Sequence, residues 1–349
     1  MTSSINRHRI DSEIEKYRIE LNWTKIQDKI KQIKINEYTK FLDGEAQLEL
    51  YLQQHSLIDD KNIQQAREQL RTVERTLNEA NSDKKNPFDV QCLLSKLFYS
   101  QARYDDCNSS IAKALINVPK DTKDNPNRSS LLLAELFSLK GLLVEKTAPT
   151  LDKSTLNEII QYFENSVKLS QKYYTDVEKS HHYSSENLDI ENPLIELAFQ
   201  RVPLLQAKNG NLSTAIEIFR SYIQNVHIKS LETMRQTLIK QFAQLLIKCV
   251  CKANYSPIKQ EQMGDHKHSM YIPRDSNEET ILLLLLAETS ALNEAVLDWQ
   301  PQYEEQRERS HHQAYTILAL LAIFLARKQA YNLIADLFIG TNRLKIRLV

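Results

Sequence analysis

The chain predicts an all-α fold, an α-solenoid (superhelix) of diverged helix pairs, on three observations. Five glycines and nine prolines in 349 residues lie far below the roughly 7% glycine and 5% proline of ordinary chains. That leaves little room for hairpins or phosphate-cradling loops. Leu, Ile, Ala, Glu, Gln and Lys dominate, and these are good helix formers. The third observation is the stretch from Ala102 to Pro119, ARYDDCNSSIAKALINVP. A tight turn carries Tyr104, then Cys107, Ile111, Ala114 and Leu115 follow at helical spacing, and Pro119 ends the run. Upstream, Leu94, Ser95 and Phe98 supply an apolar, a small and an aromatic residue on a preceding helix. A helix pair of this kind cannot bury its own apolar face, so it predicts stacked neighbours.

The order small-x-aromatic, small, bulky apolar, Ala-Leu, Pro is that of the second half of a tetratricopeptide (TPR) unit. Two weaker copies share its offsets. Gly210-Asn211-Leu212 is followed by Ala215, Phe219 and Tyr222, and Gln329-Ala330-Tyr331 by Ile334 and Phe338. The turns are 108 and 119 residues apart, not multiples of the roughly 34-residue TPR period, so the repeats are diverged and carry insertions. The residues expected to pack the repeats are Phe98, Tyr104, Ile111, Ala114, Gly141, Phe163, Leu212, Ala215, Phe219, Tyr331 and Phe338.

In chain order, residues 9–35 read as two helices, Trp23 starting the second and Ile26, Ile30 and Ile33 sharing a face. Residues 37–55 carry the stripe Phe41, Leu42, Leu48 and Leu52. Residues 61–80 read as one charged helix with Ala66, Leu70, Val73 and Leu77 inward. After a polar break at 81–87, the clearest repeat pair occupies 88–118. A loop at 119–129 leads to a helix at 130–146, where Gly141 permits close approach. Thr155 and Glu158 read as a capping box for a helix to about residue 180, with Ile159 and Phe163 at repeat positions. A surface loop is expected at 181–191. Pro193 suits a first helical turn, whereas Pro203 falls inside the helix, costs about 3 kcal/mol there and predicts a kink or break. A long helix follows at 231–253, then a polar, non-periodic stretch at 254–275. Ser276 and Glu279 read as a second capping box, before a helix at 277–297. Pro301 interrupts the pattern, and a last pair occupies 305–327 and 330–340. The domain reading is an N-terminal helical region (1–87), a diverged repeat array (88–340) and an atypical tail (341–349). TNRLKIRLV follows the last repeat position without a covering helix, which points to a truncated or alternative end.

Basic and acidic residues balance at 45 each, which argues against whole-chain attraction to nucleic acid or anionic lipid. Four cysteines and an N-terminus without an apolar core (MTSSINRHRIDSE) suit a reducing, cytosolic setting. The apolar run Ala314–Ala326 has thirteen residues against the about 20 needed to span a bilayer, so it reads as a buried solenoid helix.

Candidate chemistry is sparse. Cys249 and Cys251, two apart on a helix, would point away from each other and read as buried small residues. His266 and His268 sit in a loop without further ligands, and the adjacent pairs His181-His182 and His311-His312 have no ligand spacing. There is no nucleophile elbow, HExxH, P-loop or GxGxxG. Glu278-Glu279 and Glu304-Glu305 read as first-turn partners of a helix dipole. No catalytic residue, cofactor or metal is expected. A carboxylate clamp of the kind TPR modules use for C-terminal peptides would draw on Cys92 and Lys96, Gln200 and Leu204, and Ala319 and Ile323. Only Lys96 is chemically apt, and it reads as a solvated lysine.

At 41–57, FLDGEAQLELYLQQHSL, the chain resembles the N-terminal region of the tetratricopeptide-repeat protein 7 family, with its L-x-GE-x-x-LE-x-YL-x-x-H pattern. Three further segments agree: Ile14 to Trp23 with its E-x-x-R-x-x-x-x-W-like spacing, LLQAKNGNLSTAIEIFR (204–220) and IPRDSNEETILLLLLAETSALNEAVL (272–297). The resemblance covers about residues 10–340. It implies a non-catalytic helical scaffold for phosphatidylinositol 4-kinase alpha, in the cytoplasm and recruited peripherally to the plasma membrane. The implied partners are the kinase, a hyccin-type protein and a palmitoylated EFR3-type membrane anchor. The matched motifs are packing motifs and carry over no binding residue. A generic TPR adaptor for peptide or vesicle-trafficking partners is the alternative.

Overall fold

The computed structural model describes residues 12–33, 36–80, 87–119, 128–179, 192–225, 232–251, 253–258, 272–295 and 300–343. The described residues are helical throughout apart from turns, caps and short connections, without a strand among them. The helices are α1 (12–19), α2 (Trp23–Ile30), α3 (Glu37–Gln54), α4 (Ile63–Gln69), α5 (Arg71–Ala80), α6 (Pro87–Ser100), α7 (Tyr104–Ile116), α8 (Arg128–Thr147), α9 (Lys153–Lys179), α10 (Pro193–Lys208), α11 (Leu212–Asn225), α12 (Glu232–Cys249), α13 (Ser276–Glu294), α14 (Glu304–Arg327) and α15 (Tyr331–Arg343). Most of the packing joins helices close in sequence, as in α2 on α3, α3 on α5, α6 on α7, α8 on α9, α12 on α13 and α13 on α14. This is the all-α, solenoid-type arrangement the repeats predict. The chain forms two compact units that part between Leu205 and Gln206, inside α10, and not near residue 87. The N-terminal helices are continuous with the first repeat because α3 packs on α5 and α6.

The three repeat turns share one backbone device. Ala102 (φ 57°), Gly210 (φ 90°) and Gln329 (φ 58°) all adopt the left-handed conformation. The next residue's N–H then reaches back five residues. Arg103 donates to Phe98 O (2.9 Å), Asn211 to Gln206 O (2.9 Å) and Ala330 to Leu325 O (3.0 Å). With the accompanying bonds from Ala102 to Tyr99 O, Gly210 to Ala207 O and Gln329 to Ala326 O, each is a Schellman closure, which satisfies the last carbonyls of the outgoing helix. Glycine is the residue with no steric cost there, and only one of the three turns uses it. A fourth copy joins α1 to α2: Leu21 has φ 51°, and Asn22 donates to Tyr17 O (2.9 Å). Trp23 follows it as Tyr104 follows Ala102, so the repeat device begins earlier than the sequence motif suggested.

Packing within the pairs follows the small and aromatic positions. Every residue of α6 from Phe88 to Ser100 is buried, and the Cys107 thiol donates to Ser95 O at 3.3 Å. On α8, a Cβ added to Gly141 would sit 3.0–3.2 Å from three ring carbons of the fully buried Phe163, so glycine lets α9 approach closely where a larger residue would press on that ring. In the second unit Phe219 is fully buried and stacks on Phe242 with ring centroids 5.1 Å apart.

Several expected boundaries move. The segment 61–80 is not one helix: α4 and α5 meet at Leu70, whose ψ of 2° ends the first of them. The caps fall one position or one turn earlier than the capping boxes indicated. Asp152 accepts the Thr155 N–H (2.8 Å), so Asp152 and not Thr155 starts α9. Asp275 accepts the N–H groups of Asn277 and Glu278, so Asp275 and not Ser276 caps α13. An aspartate carboxylate is a strong N-cap acceptor and also meets the positive end of the helix dipole. α10 continues through Pro203 to Lys208 without a break. Val202, Pro203 and Leu205 are all buried, and that packing offsets the missing hydrogen bond. Of the expected loop at 119–129, residues 120–127 lie outside the described residues, while Arg128 and Ser129 already belong to α8. The break at 81–87 lies outside them except for Pro87, which starts α6. The loop at 181–191, most of 254–275 and the tail from residue 344 lie outside them too.

Candidate functional site

Of the residues expected to pack the repeats, Phe98, Ile111, Ala114, Gly141, Phe163, Ala215 and Phe219 are buried. Tyr104 and Leu212 are half-buried, Tyr104 lying against the Tyr99 ring at 5.7 Å. Tyr331 departs from the expectation. Its side chain is 64% exposed, because α14 is the neighbour on which α15 packs and nothing among the described residues covers the other side. Phe338 lies on α15, but its side chain is outside the described residues.

The candidate ligand sets are not assembled. α12 ends at Cys249, so Cys249 and Cys251 are not on one helix, and both are exposed rather than buried. His181, His182, His266 and His268 lie outside the described residues, and no metal-binding cluster occurs among those that are described. Glu278, Glu279, Glu304 and Glu305 do sit in first helical turns, although Glu279 has a further role described below. No described helix is long and apolar enough to cross a membrane.

Lys96 is where sequence reading fails most informatively. It is 4% exposed, not solvated, and it belongs to a buried charge cluster in the first unit. Its ammonium contacts Glu49 Oε1 at 2.7 Å and pairs with Glu135. Arg128, the first residue of α8 and 1% exposed, reaches Glu135 (2.7 Å), Glu49 (2.7 Å) and Glu45 (3.3 Å). Arg18 on α1 bonds Glu45 at 2.7 Å and Asp89 at 3.1 Å. Asn192, which accepts the Ile195 N–H at the start of α10, donates to Glu135 at 2.7 Å. Two aromatic faces complete the shell: Arg128 lies over the Trp23 ring and Arg18 over Phe41, each guanidinium carbon 5.3 Å from the centroid. One polar network thus ties α1, α2, α3, α6, α8 and the start of α10.

Burial raises the cost of every charge here, and the pairing answers it unevenly. Burial opposes ionisation of Glu135, but Arg128 and Lys96 overcome it and hold the carboxyl well below the usual range. Glu45 goes the other way, pushed up by burial despite Arg18 and Arg128. Burial also opposes the Arg128 charge, which Glu135, Glu49 and Glu45 more than restore.

The cluster matters for function because of what it occupies. Lys96 and Cys92 are the positions where a peptide-clamping TPR would receive a ligand carboxylate. Here Glu49 on α3 and Glu135 on α8 supply the carboxylates, and Cys92 is buried. The remaining clamp positions offer nothing ionic: Gln200, Leu204, Ala319 and Ile323 are neutral.

The second unit repeats the theme in reduced form. Arg220 on α11 makes a two-point ion pair with Glu279 on α13, at 2.7 and 2.8 Å, and lies over the Tyr255 ring at 5.5 Å. The same unit has an apolar cluster in which Ala243, Leu284, Leu321, Phe324 and Leu325 pack together.

None of these ion pairs was read from the sequence, yet a signal was present. Glu45 falls within the stripe of Phe41, Leu42 and Leu48, and Arg18 follows Ile14 by four residues. A charge at an inward position of an amphipathic helix is expected to have a partner. Five of these residues fall in the family-like segments: Arg18 in the first, Glu45 and Glu49 in the second, Arg220 at the end of the third and Glu279 in the fourth.

A family model described as "Tetratricopeptide repeat protein 7 N-terminal" matches residues 1–268 and 254–338. Human tetratricopeptide repeat protein 7B is 24% identical over 380 aligned residues, covering 94% of this chain and 45% of the relative. The mouse protein of the same name gives the same identity and coverage. Human tetratricopeptide repeat protein 7A is 25% identical over 391 residues, covering 94% of this chain and 46% of the relative. The chain therefore spans a little under half the length of these relatives. With a family-model match across most of its length, the chain belongs to the tetratricopeptide repeat protein 7 family.

Proposed function

We propose that this chain is a non-catalytic scaffold that helps assemble and localise a phosphatidylinositol 4-kinase alpha complex at the plasma membrane. Its partners in that role are the kinase, a hyccin-type protein and a palmitoylated EFR3-type membrane anchor. The observation that carries the reading is family membership over nearly the whole chain, in a fold of stacked helix pairs suited to presenting extended surfaces. The mechanism is geometric: a stiff helical body buries area against its partners and holds the kinase near its lipid substrate. The charge cluster supports stiffness, since moving any of its helices would strand a buried charge. Apolar surface for partners is present in the second unit. Leu282, Leu285 and Leu286 on α13, Ile323 on α14 and Leu333 on α15 are exposed.

Peptide capture in the manner of chaperone-binding TPRs is disfavoured by the engagement of Lys96 with Glu49 and Glu135. Affinity purification of the tagged chain from its own cells tests the proposal. Recovery of the lipid kinase is the expected result. Its clean absence, with other adaptors or trafficking proteins recovered instead, contradicts the proposal.

A further inference from the structure

Two buried cations of the first unit converge on one atom. The Lys96 ammonium on α6 and the Arg128 guanidinium on α8 each meet Glu49 Oε1 at 2.7 Å. Both cations are almost fully buried, Lys96 at 4% exposure and Arg128 at 1%. Glu49 is less so. Its side chain is 13% exposed, and its Oε2 accepts no hydrogen bond among the described residues. Glu135, the other carboxylate the two cations share, has both oxygens engaged by Arg128, Lys96 and Asn192. Glu49 also stands outside the charge balance of the core. Arg18, Lys96 and Arg128 are matched by the buried carboxylates Glu45, Asp89 and Glu135, so Glu49 brings one negative charge beyond balance. Hydrogen bonding holds it in place: without it, the Lys96 and Arg128 donors aimed at Oε1 lose that acceptor in a buried setting, which is costly.

We infer that Lys96 and Arg128 form a carboxylate-binding site which the chain fills itself, with Glu49 as a tethered ligand that keeps it closed. Two buried, charged donors aimed at a single carboxylate oxygen are the strong kind of anion contact. The ligand class follows from charge and size. A carboxylate carries the single charge that Glu49 supplies, whereas a phosphate group carries about 1.5 to 2 negative charges at neutral pH and would overload a balanced core. The fragment lost in Glu49→Ala, a CH2 with its carboxylate, has the size of acetate. A carboxylate from outside enters only when Glu49 withdraws, so the intact chain stays closed. The inference does not depend on the kinase-complex reading.

The test uses the full chain with acetate as the probe, against chloride at equal ionic strength. Glu49→Ala should unfold at lower urea than wild type, and acetate in the millimolar range should restore it saturably. At about ten times its dissociation constant, acetate should shift the variant's unfolding equilibrium about elevenfold toward the folded chain. Wild type should shift less than about twofold. So should Glu79→Ala, which removes an exposed acid paired with Lys40. Adding Lys96→Met to Glu49→Ala should abolish the response. If Glu49→Ala is unfolded in chloride, its far-ultraviolet helical signal should return in acetate. Absence of a response in Glu49→Ala, or one equal to that of wild type, overturns the inference. So does a response that survives Lys96→Met, or inorganic phosphate acting as strongly as acetate.

Discussion

The two compact units solve the same packing problem with different chemistry. The first buries three cations (Arg18, Lys96, Arg128) and the carboxylates Glu45, Asp89 and Glu135, and joins them across helices far apart in sequence. In the second, the buried charged residue among those described is Glu279, met by Arg220, and aromatic and leucine packing does the rest. The second unit also leaves leucines exposed on α13 where the first covers α6 from all sides. Apolar contacts tolerate sliding, but a buried charge network tolerates one arrangement. The first unit is thus built for a fixed geometry and the second for surface that others can cover.

That contrast can be broken from its strong side first. Arg128→Met strands Glu45 and Glu135 in the core and should cost the first unit about 3–5 kcal/mol, measured as a lower urea midpoint. In the second unit the largest loss should come from an aromatic. Phe219→Ala removes a fully buried ring stacked on Phe242 and should cost about 3–5 kcal/mol. Arg220→Met should cost less than Arg128→Met, about 1.5–3 kcal/mol, because it leaves a single acceptor without its partner. If the two arginine variants proved equal, the distinction between network and isolated pair would fail. Gly141→Ala sharpens the account of α8 and α9. Its Cβ would press on Phe163 at 3.0 Å, and a net loss of about 1 kcal/mol is expected once improved helix propensity offsets part of the overpacking. Smallest of all, Leu282→Ser with Leu285→Ser should change stability by less than about 0.5 kcal/mol per site while weakening partner recovery in the purification.

Much of this architecture was legible in the sequence. The turn at Ala102-Arg103-Tyr104 and its two copies are Schellman turns followed by small and bulky residues, and the Gly141–Phe163 contact joins two positions chosen from the repeat pattern alone. The α1–α2 turn was missed because Leu21 and Asn22 lack the small residue that usually marks it. The capping boxes were misread because Asp152 and Asp275 compete with the Thr and Ser that follow them. The charge cluster was invisible for a deeper reason. Periodicity assigns a residue to a face, but only the fold brings Arg18, Glu45, Lys96, Arg128 and Glu135 from four helices to one point. Lys96 looked like a surface lysine because α3, its acidic partner, lies 47 residues earlier in the chain.

The central claim is that buried charges on separate helices act as one unit in holding the first half of this scaffold. A double-mutant cycle on Arg128→Met and Glu135→Met, read by urea unfolding of the full chain, tests it most directly. Strong coupling of about 2 kcal/mol or more is predicted, with the double variant far less damaged than the sum of the singles. Losses that simply add, to within about 0.5 kcal/mol, would contradict it.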